Sequence, residues 1–119
     1  LVGPSAILLA LMASGLNGQS FAFLGYLPVD KAARVAKLKE IEKRSQSIRE
    51  TQIFIETPYR NQQMLEAILT SCNANTRLCI ACHVSLQDEM IVTKRINEWK
   101  QNVLPDLNKK PTVFLLLVS

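Results

Sequence analysis

With 119 residues, 48% of them hydrophobic and 20% charged, the sequence has apolar matter for one core and too little length for two. That balance excludes intrinsic disorder, collagen-like repeats and low-complexity chains. A net charge of +4 permits a polyanionic partner without requiring one, and three Cys, an odd number, fit a reducing cytoplasm better than a disulfide framework.

In chain order, Gly3-Pro4-Ser5 opens a helix whose apolar run reaches Met12 and stops at Ser14-Gly15, with Pro tolerated in the first turn, where its missing N–H bonds nothing. The run Ala6 to Ala13 lacks a basic leader and falls far short of the ~20 residues of a membrane span. It is apolar nearly all round, so part of its surface is expected to meet other protein. Asn17-Gly18 marks a turn, and Phe21 to Leu27 reads as a strand with Gly25 as a bulge, ended by Pro28. Asp30 caps the next helix, over residues 30 to 45, with Val35, Leu38 and Ile41 as its apolar stripe.

Gln52 to Glu56 is a short β-branched and aromatic run, after which Thr57 is expected to cap a helix with Pro58 at its first position. Met64, Leu65, Ile68, Leu69 and Cys72 form the apolar face of that helix. Arg77 to Cys82 and Met90 to Thr93 read as strands, and Ile96, Trp99 and Val103 outline a short helix closing before Pro105. The unbroken run Thr112 to Val118 suits a central strand covered on both faces. The result is a single α/β domain: a mixed sheet of about five strands flanked by about four helices.

Cys79-Ile-Ala-Cys82-His83 matches the haem-attachment pattern in form only, because side chains alternate along a strand and the two thiols would face opposite ways. The same geometry disfavours a redox pair, and one His with three Cys does not supply a zinc site, so no haem or metal is expected. His83 stays a candidate because it ends a strand. Glu56 and Arg60 flank Thr57-Pro58, where a strand end running into a helix presents ligand-binding backbone groups; a local salt bridge is the plainer alternative. Lys109-Lys110 and the basic helix after Asp30 are read mainly as solvated charge. A Ser-His-Asp order, a Gly-rich phosphate loop and a paired-carboxylate motif are all absent from the sequence.

Taken together, Gly3-Pro4-Ser5-Ala6, Ser14-Gly15-Leu16, Phe21 to Pro28 (Phe-x-Phe-x-Gly-Tyr-Leu-Pro) and Ile53 to Arg60 (Ile-Phe-Ile-Glu-Thr-Pro-Tyr-Arg) resemble the C-terminal half of the tetrapyrrole (corrin/porphyrin) methylase superfamily. They are most similar to the branch that methylates a ribose 2′-hydroxyl of small-subunit ribosomal RNA. The resemblance implies that residues 1 to 119 are the C-terminal domain of a two-domain, homodimeric, S-adenosylmethionine-dependent methyltransferase whose N-terminal cofactor-loop domain lies outside the chain, and that this domain alone is inactive. It implies that Pro4, Ser5, Ala6, Glu56 and Thr57 border the cofactor and that Arg60 meets substrate. Glu56 and His83 are the candidate bases for a hydroxyl acceptor. Cys82-His83-Val84-Ser85 departs from the RNA branch, where an acidic residue followed by Leu-Thr is usual, which leaves a tetrapyrrole acceptor open. A non-catalytic binding or dimerisation module is the alternative of another class, motivated by the apolar first helix.

Overall fold

The computed structural model describes residues 4–16, 20–83, 87 and 89–118. Four helices, α1 (Pro4–Ser14), α2 (Lys31–Ile48), α3 (Asn61–Ser71) and α4 (Ile96–Gln101), alternate with five strands, β1 (Phe21–Tyr26), β2 (Thr51–Ile55), β3 (Arg77–Cys82), β4 (Met90–Arg95) and β5 (Thr112–Leu117). The strands form one mixed sheet in the order β1-β2-β5-β3-β4. β1 and β2 are parallel, joined by α2 as a crossover, whereas β5 runs antiparallel to both β2 and β3, and β4 is antiparallel to β3. β5, apolar after Thr112, is the central strand, as its sequence predicts, with every residue buried.

The sheet divides the core in two. On one face, α2, α3 and α4 cover Leu38, Ile41, Phe54, Met64, Ile68, Leu78, Ile80, Trp99 and Phe114, with the rings of Phe54 and Phe114 stacked at 5.6 Å between centroids. Each fully buried side chain of this size contributes about 1.5–3 kcal/mol of transfer free energy, offset by the entropy of ordering it. On the other face, Ile53, Ile55, Cys79, Ala81, Val113, Leu115 and Leu117 form one cluster with Ala10 and Leu11 of α1 and with Leu16. The outer side of α1 leaves Leu8, Leu9 and Met12 exposed, so the helix that is apolar all round packs on one side only. Gly15 ends it in the left-handed region at φ 73°, and Ser14 closes the last turn by donating its hydroxyl to the Leu11 carbonyl at 2.7 Å.

Several local readings hold in detail. The Asp30 carboxylate accepts from the Ala33 N–H at 3.0 Å, capping α2. The register shifts between Phe23 and Tyr26, with Gly25 at φ 69°. Cys79 and Cys82 fall in different clusters on opposite faces of the sheet, and Cys72, Cys79 and Cys82 are buried and form no disulfide.

Three readings change. Val103 is 98% exposed because α4 ends at Gln101, and Leu107 instead fills the core beyond it. The buried positions of α2 are Arg34, Leu38, Ile41 and Ser45, with Val35 only half-buried. Thr57 does not cap with its side chain: Pro58–Arg60 is a 3-10 turn, and α3 starts at Asn61. The turn at Asn17-Gly18 and the departure at Val84-Ser85 lie outside the described residues.

Candidate functional site

β1, β2 and β3 all finish at one end of the sheet: Thr112 at the start of β5 pairs with Cys82, and its neighbour Val113 pairs with Ile55. This end therefore gathers Pro28, Glu56, Thr57 and His83, beyond the carboxyl ends of the parallel strands, where open α/β sheets hold ligands. α1 runs away from it. The carbonyl of Ser14 accepts from the Thr93 hydroxyl at 2.7 Å, and the chain enters β1 at Phe21, at the opposite end. Pro4, Ser5 and Ala6 open α1, and their side chains lie outside the described residues.

Glu56 is the organising residue. Its side chain is 1% exposed and carries two arginines: Arg34 Nη2 donates to Oε2 at 3.2 Å, and Arg60 Nε approaches Oε1 at 3.4 Å. The Thr57 N–H also donates to Oε1, at 2.7 Å, and Arg34 Nε donates to the Pro28 carbonyl at 3.2 Å. The carboxylate is thus held by three donors while it ties α2, the end of β1 and the 3-10 turn to one point. This geometry suits positioning better than proton abstraction, since a base needs a lone pair turned to the substrate. Arg34 is 5% exposed in its side chain, whereas Arg60 is 35% exposed. The Thr57 hydroxyl is buried and has no hydrogen-bond partner, an unfilled donor and acceptor beside the locked carboxylate.

His83 sits at the end of β3, separated from β2 by β5, half-buried, at φ 52°, with its backbone N–H on the Pro111 carbonyl at 3.0 Å. The loop it meets is pinned from α3. Asn61 Nδ2 donates to the carbonyls of Leu107 (3.2 Å) and Lys110 (2.6 Å), and Gln62 exchanges hydrogen bonds with Pro105 and Leu107. The Lys109 N–H donates to the Pro58 carbonyl at 3.1 Å, which brings Lys109 beside Tyr59, 76% exposed. The strand end therefore unites Glu56, Thr57 and Arg60, with His83 at the end of β3 on the far side of β5.

Arg34 is the residue that sequence reasoning missed. Its signal is the spacing Arg34-Leu38-Ile41-Ser45, which puts an arginine on the buried stripe of a helix, where a carboxylate partner is required. Among the described residues, no three His, Cys, Asp or Glu side chains gather as a metal site, and no helix is long and apolar enough to cross a membrane.

No protein-family model matches the chain. It is 36% identical over 118 residues to the ribosomal RNA small subunit methyltransferase I of Vibrio cholerae, a match covering 99% of the chain and 40% of that relative. With the protein of the same name from Haemophilus influenzae it shares 28% identity over 119 residues, 100% of the chain and 41% of the relative. The chain thus spans about two fifths of the length of these curated relatives. Among solved structures its fold resembles the methyltransferase CobJ, with a TM-score of 0.58 and 17% identity over 94% of the chain and 47% of CobJ. It also resembles the cobalt precorrin-4 methyltransferase CbiF, with a TM-score of 0.56 and 11% identity over 94% of the chain and 48% of CbiF.

Proposed function

We propose that the chain belongs to the tetrapyrrole methylase superfamily, on the branch of the ribosomal RNA small subunit methyltransferases I, and that it forms one wall of the cofactor and substrate cleft of an S-adenosylmethionine-dependent methyltransferase acting on ribosomal RNA. The observation that carries this reading is the similarity along nearly the whole chain to relatives bearing that name. The strand-end geometry supports it.

S-adenosylmethionine supplies an activated methyl group on a sulfonium, so the protein's work is to orient the two reactants and exclude water. The buried Thr57 hydroxyl fits a polar group of that cofactor, being without a partner of its own. Pro4, Ser5 and Ala6 border the same cleft by the family resemblance. Glu56 holds Arg60 in place, and the partly exposed Arg60 guanidinium takes a phosphate of the acceptor strand. His83, at the end of β3 across β5 from Glu56, receives the proton of a ribose 2′-hydroxyl in this reading. A tetrapyrrole acceptor is the second reading. The cationic rim of Arg60, Lys109 and Lys110 with exposed Tyr59 favours RNA, because aromatic faces stack bases while cations meet the backbone; Asp106 is the one acidic residue in the same loop.

The proposal includes a cytoplasmic homodimer, supported by the exposed Leu8, Leu9 and Met12 of α1. Its test is calorimetric titration of S-adenosylhomocysteine into the whole gene product, with the chain alone alongside. Binding by the former supports the cleft, and acceptor screening against small-subunit ribosomal RNA and against tetrapyrroles follows. Absence of binding at millimolar ligand removes the chemical basis of the reading. Light scattering over a tenfold concentration range tests the dimer, which a strict monomer throughout overturns.

A further inference from the structure

At the far end of the sheet from Glu56, two arginines face each other. Arg77 begins β3 and Arg95 ends β4, and the antiparallel register pairs them directly, as it pairs Cys79 with Thr93 and Ala81 with Ile91. Since Cys79, Ala81 and Ile91 belong to the cluster under α1, alternation puts Arg77 and Arg95 on that same face. Directly opposed residues hold their Cβ atoms about 5 Å apart, where like charges destabilise the pair.

Among the described residues nothing of opposite charge pairs with them. Neither guanidinium has a carboxylate within salt-bridge distance among the described residues. Two acids at this end of the sheet accept from other groups. Glu98 accepts from the backbone N–H of Arg95, and Glu42, on the α2 side, accepts from the Asn73 N–H and the Thr76 hydroxyl. Arg95 Nη1 donates to the Asn75 carbonyl at 2.6 Å, which ties its side chain beside the start of β3. Arg77 Nε is buried and has no hydrogen-bond partner. The C-terminal end of α1 stops two residues up β4, where Ser14 meets Thr93. Its dipole supplies about half a negative charge against two positive ones, and falls off within a turn.

A half-buried pair of cations with a stranded donor is a site completed by an anion. We propose that Arg77 and Arg95 form a phosphate-binding site, separate from the strand-end cleft, in which the free faces of the two guanidinium groups clasp one tetrahedral oxyanion and Arg77 Nε gains its missing acceptor. Two planar forks offer bidentate contacts that phosphate geometry matches and a single chloride does not. The phosphate comes either from a free ion or from the backbone of a polynucleotide. The site stands on charge and register alone, so it does not depend on the methyltransferase reading.

The test follows the arginine Nε–H resonances of the full chain by nitrogen-proton NMR in phosphate-free buffer at low salt, during titration with inorganic phosphate and then with a short single-stranded oligoribonucleotide. The expected result is a shift of the Arg77 Nε–H signal that saturates with phosphate, together with a phosphate-dependent rise in melting temperature. Tighter binding of the oligoribonucleotide than of inorganic phosphate assigns the site to an RNA backbone, and equal or weaker binding assigns it to the free ion. Arg95→Gln weakens phosphate binding about tenfold, the loss of one charge-assisted contact. Arg77→Leu raises the melting temperature in phosphate-free buffer by removing both the repulsion and the stranded donor, abolishes the phosphate-dependent rise, and leaves S-adenosylhomocysteine binding by the whole gene product unchanged. An Arg77 signal that ignores both ligands, or an Arg77→Leu chain less stable than the parent without phosphate, overturns the proposal.

Discussion

Removing the Glu56 carboxylate tests whether this end of the fold is organised by charge. In Glu56→Ala the Arg34 guanidinium, 5% exposed, keeps only its contact with the Pro28 carbonyl at 3.2 Å and becomes a buried charge without a counterion. Breaking a buried pair from one side costs about 3–5 kcal/mol, a large share of the 5–15 kcal/mol that holds a domain together. In urea, with a slope of about 1–3 kcal/mol per molar, that is a drop in midpoint of roughly 2 M. The exposed pair Lys37–Glu40, 37% and 70% accessible, is the internal control, and Lys37→Ala is expected to cost no more than about 0.5 kcal/mol. The double variant Glu56→Leu with Arg34→Met removes both charges and keeps apolar volume, so it should recover most of the loss. The assay is equilibrium urea unfolding followed by Trp99 fluorescence. A Glu56→Ala cost below about 1 kcal/mol, or a double variant no better than the sum of the singles, refutes the reasoning.

Other substitutions separate the rim from the scaffold. Tyr59→Ala leaves the melting temperature unchanged, since the ring is 76% exposed, but weakens binding of single-stranded RNA about 5- to 100-fold by the whole gene product, the range of a lost base stack, measured by fluorescence anisotropy. Asn61→Ala strips the donor from the Leu107 and Lys110 carbonyls, costs about 1–3 kcal/mol, and speeds hydrogen exchange at the Lys109 N–H. Burial pushes the thiol of Cys72 up to about 12, with Glu42 adding to it, and that of Cys79 up to about 11 against a hydrogen bond with Thr93. The folded state disfavours both thiolates, so their contribution is complete below the unfolded value of 9.0 and is lost as pH rises through 11 to 12. Urea midpoints should therefore fall above pH 9, and Cys72→Ala with Cys79→Ala should flatten that fall. A thiol reagent at pH 8 should label neither residue until urea is added.

Element types were legible because periodicity reports local burial. The apolar run of β5, the Asp30 cap and the Gly25 irregularity each carry their cause within a few residues. What escaped depends on partners distant in sequence. The ion pair at i, i+4 between Glu56 and Arg60 was readable, but the more buried partner, Arg34, lies 22 residues away across the α2 crossover. Thr57-Pro58 looked like a helix start, yet the α-helix begins three residues later, where Asn61 is held by carbonyls 46 and 49 residues on. Val103 kept the helical spacing of Ile96 and Trp99, but the chain turns outward at Asn102 and Leu107 takes the core position. Arg77 and Arg95 are invisible as a pair until strand register sets them opposite each other.

The place of β5 governs how the molecule can come into being. β1 with β2 makes one strand pair and β3 with β4 another, and only β5, last of the five along the chain, joins them. During synthesis the two pairs emerge as separate ribbons, each with an unpaired apolar edge, and the sheet closes only when residues 112–117 leave the ribosomal tunnel. A nascent chain stalled with β5 still inside should be cut readily by protease, and one stalled some forty residues later should resist. Closure of this sheet therefore falls on β5: the two earlier ribbons wait for one short, largely apolar hexamer.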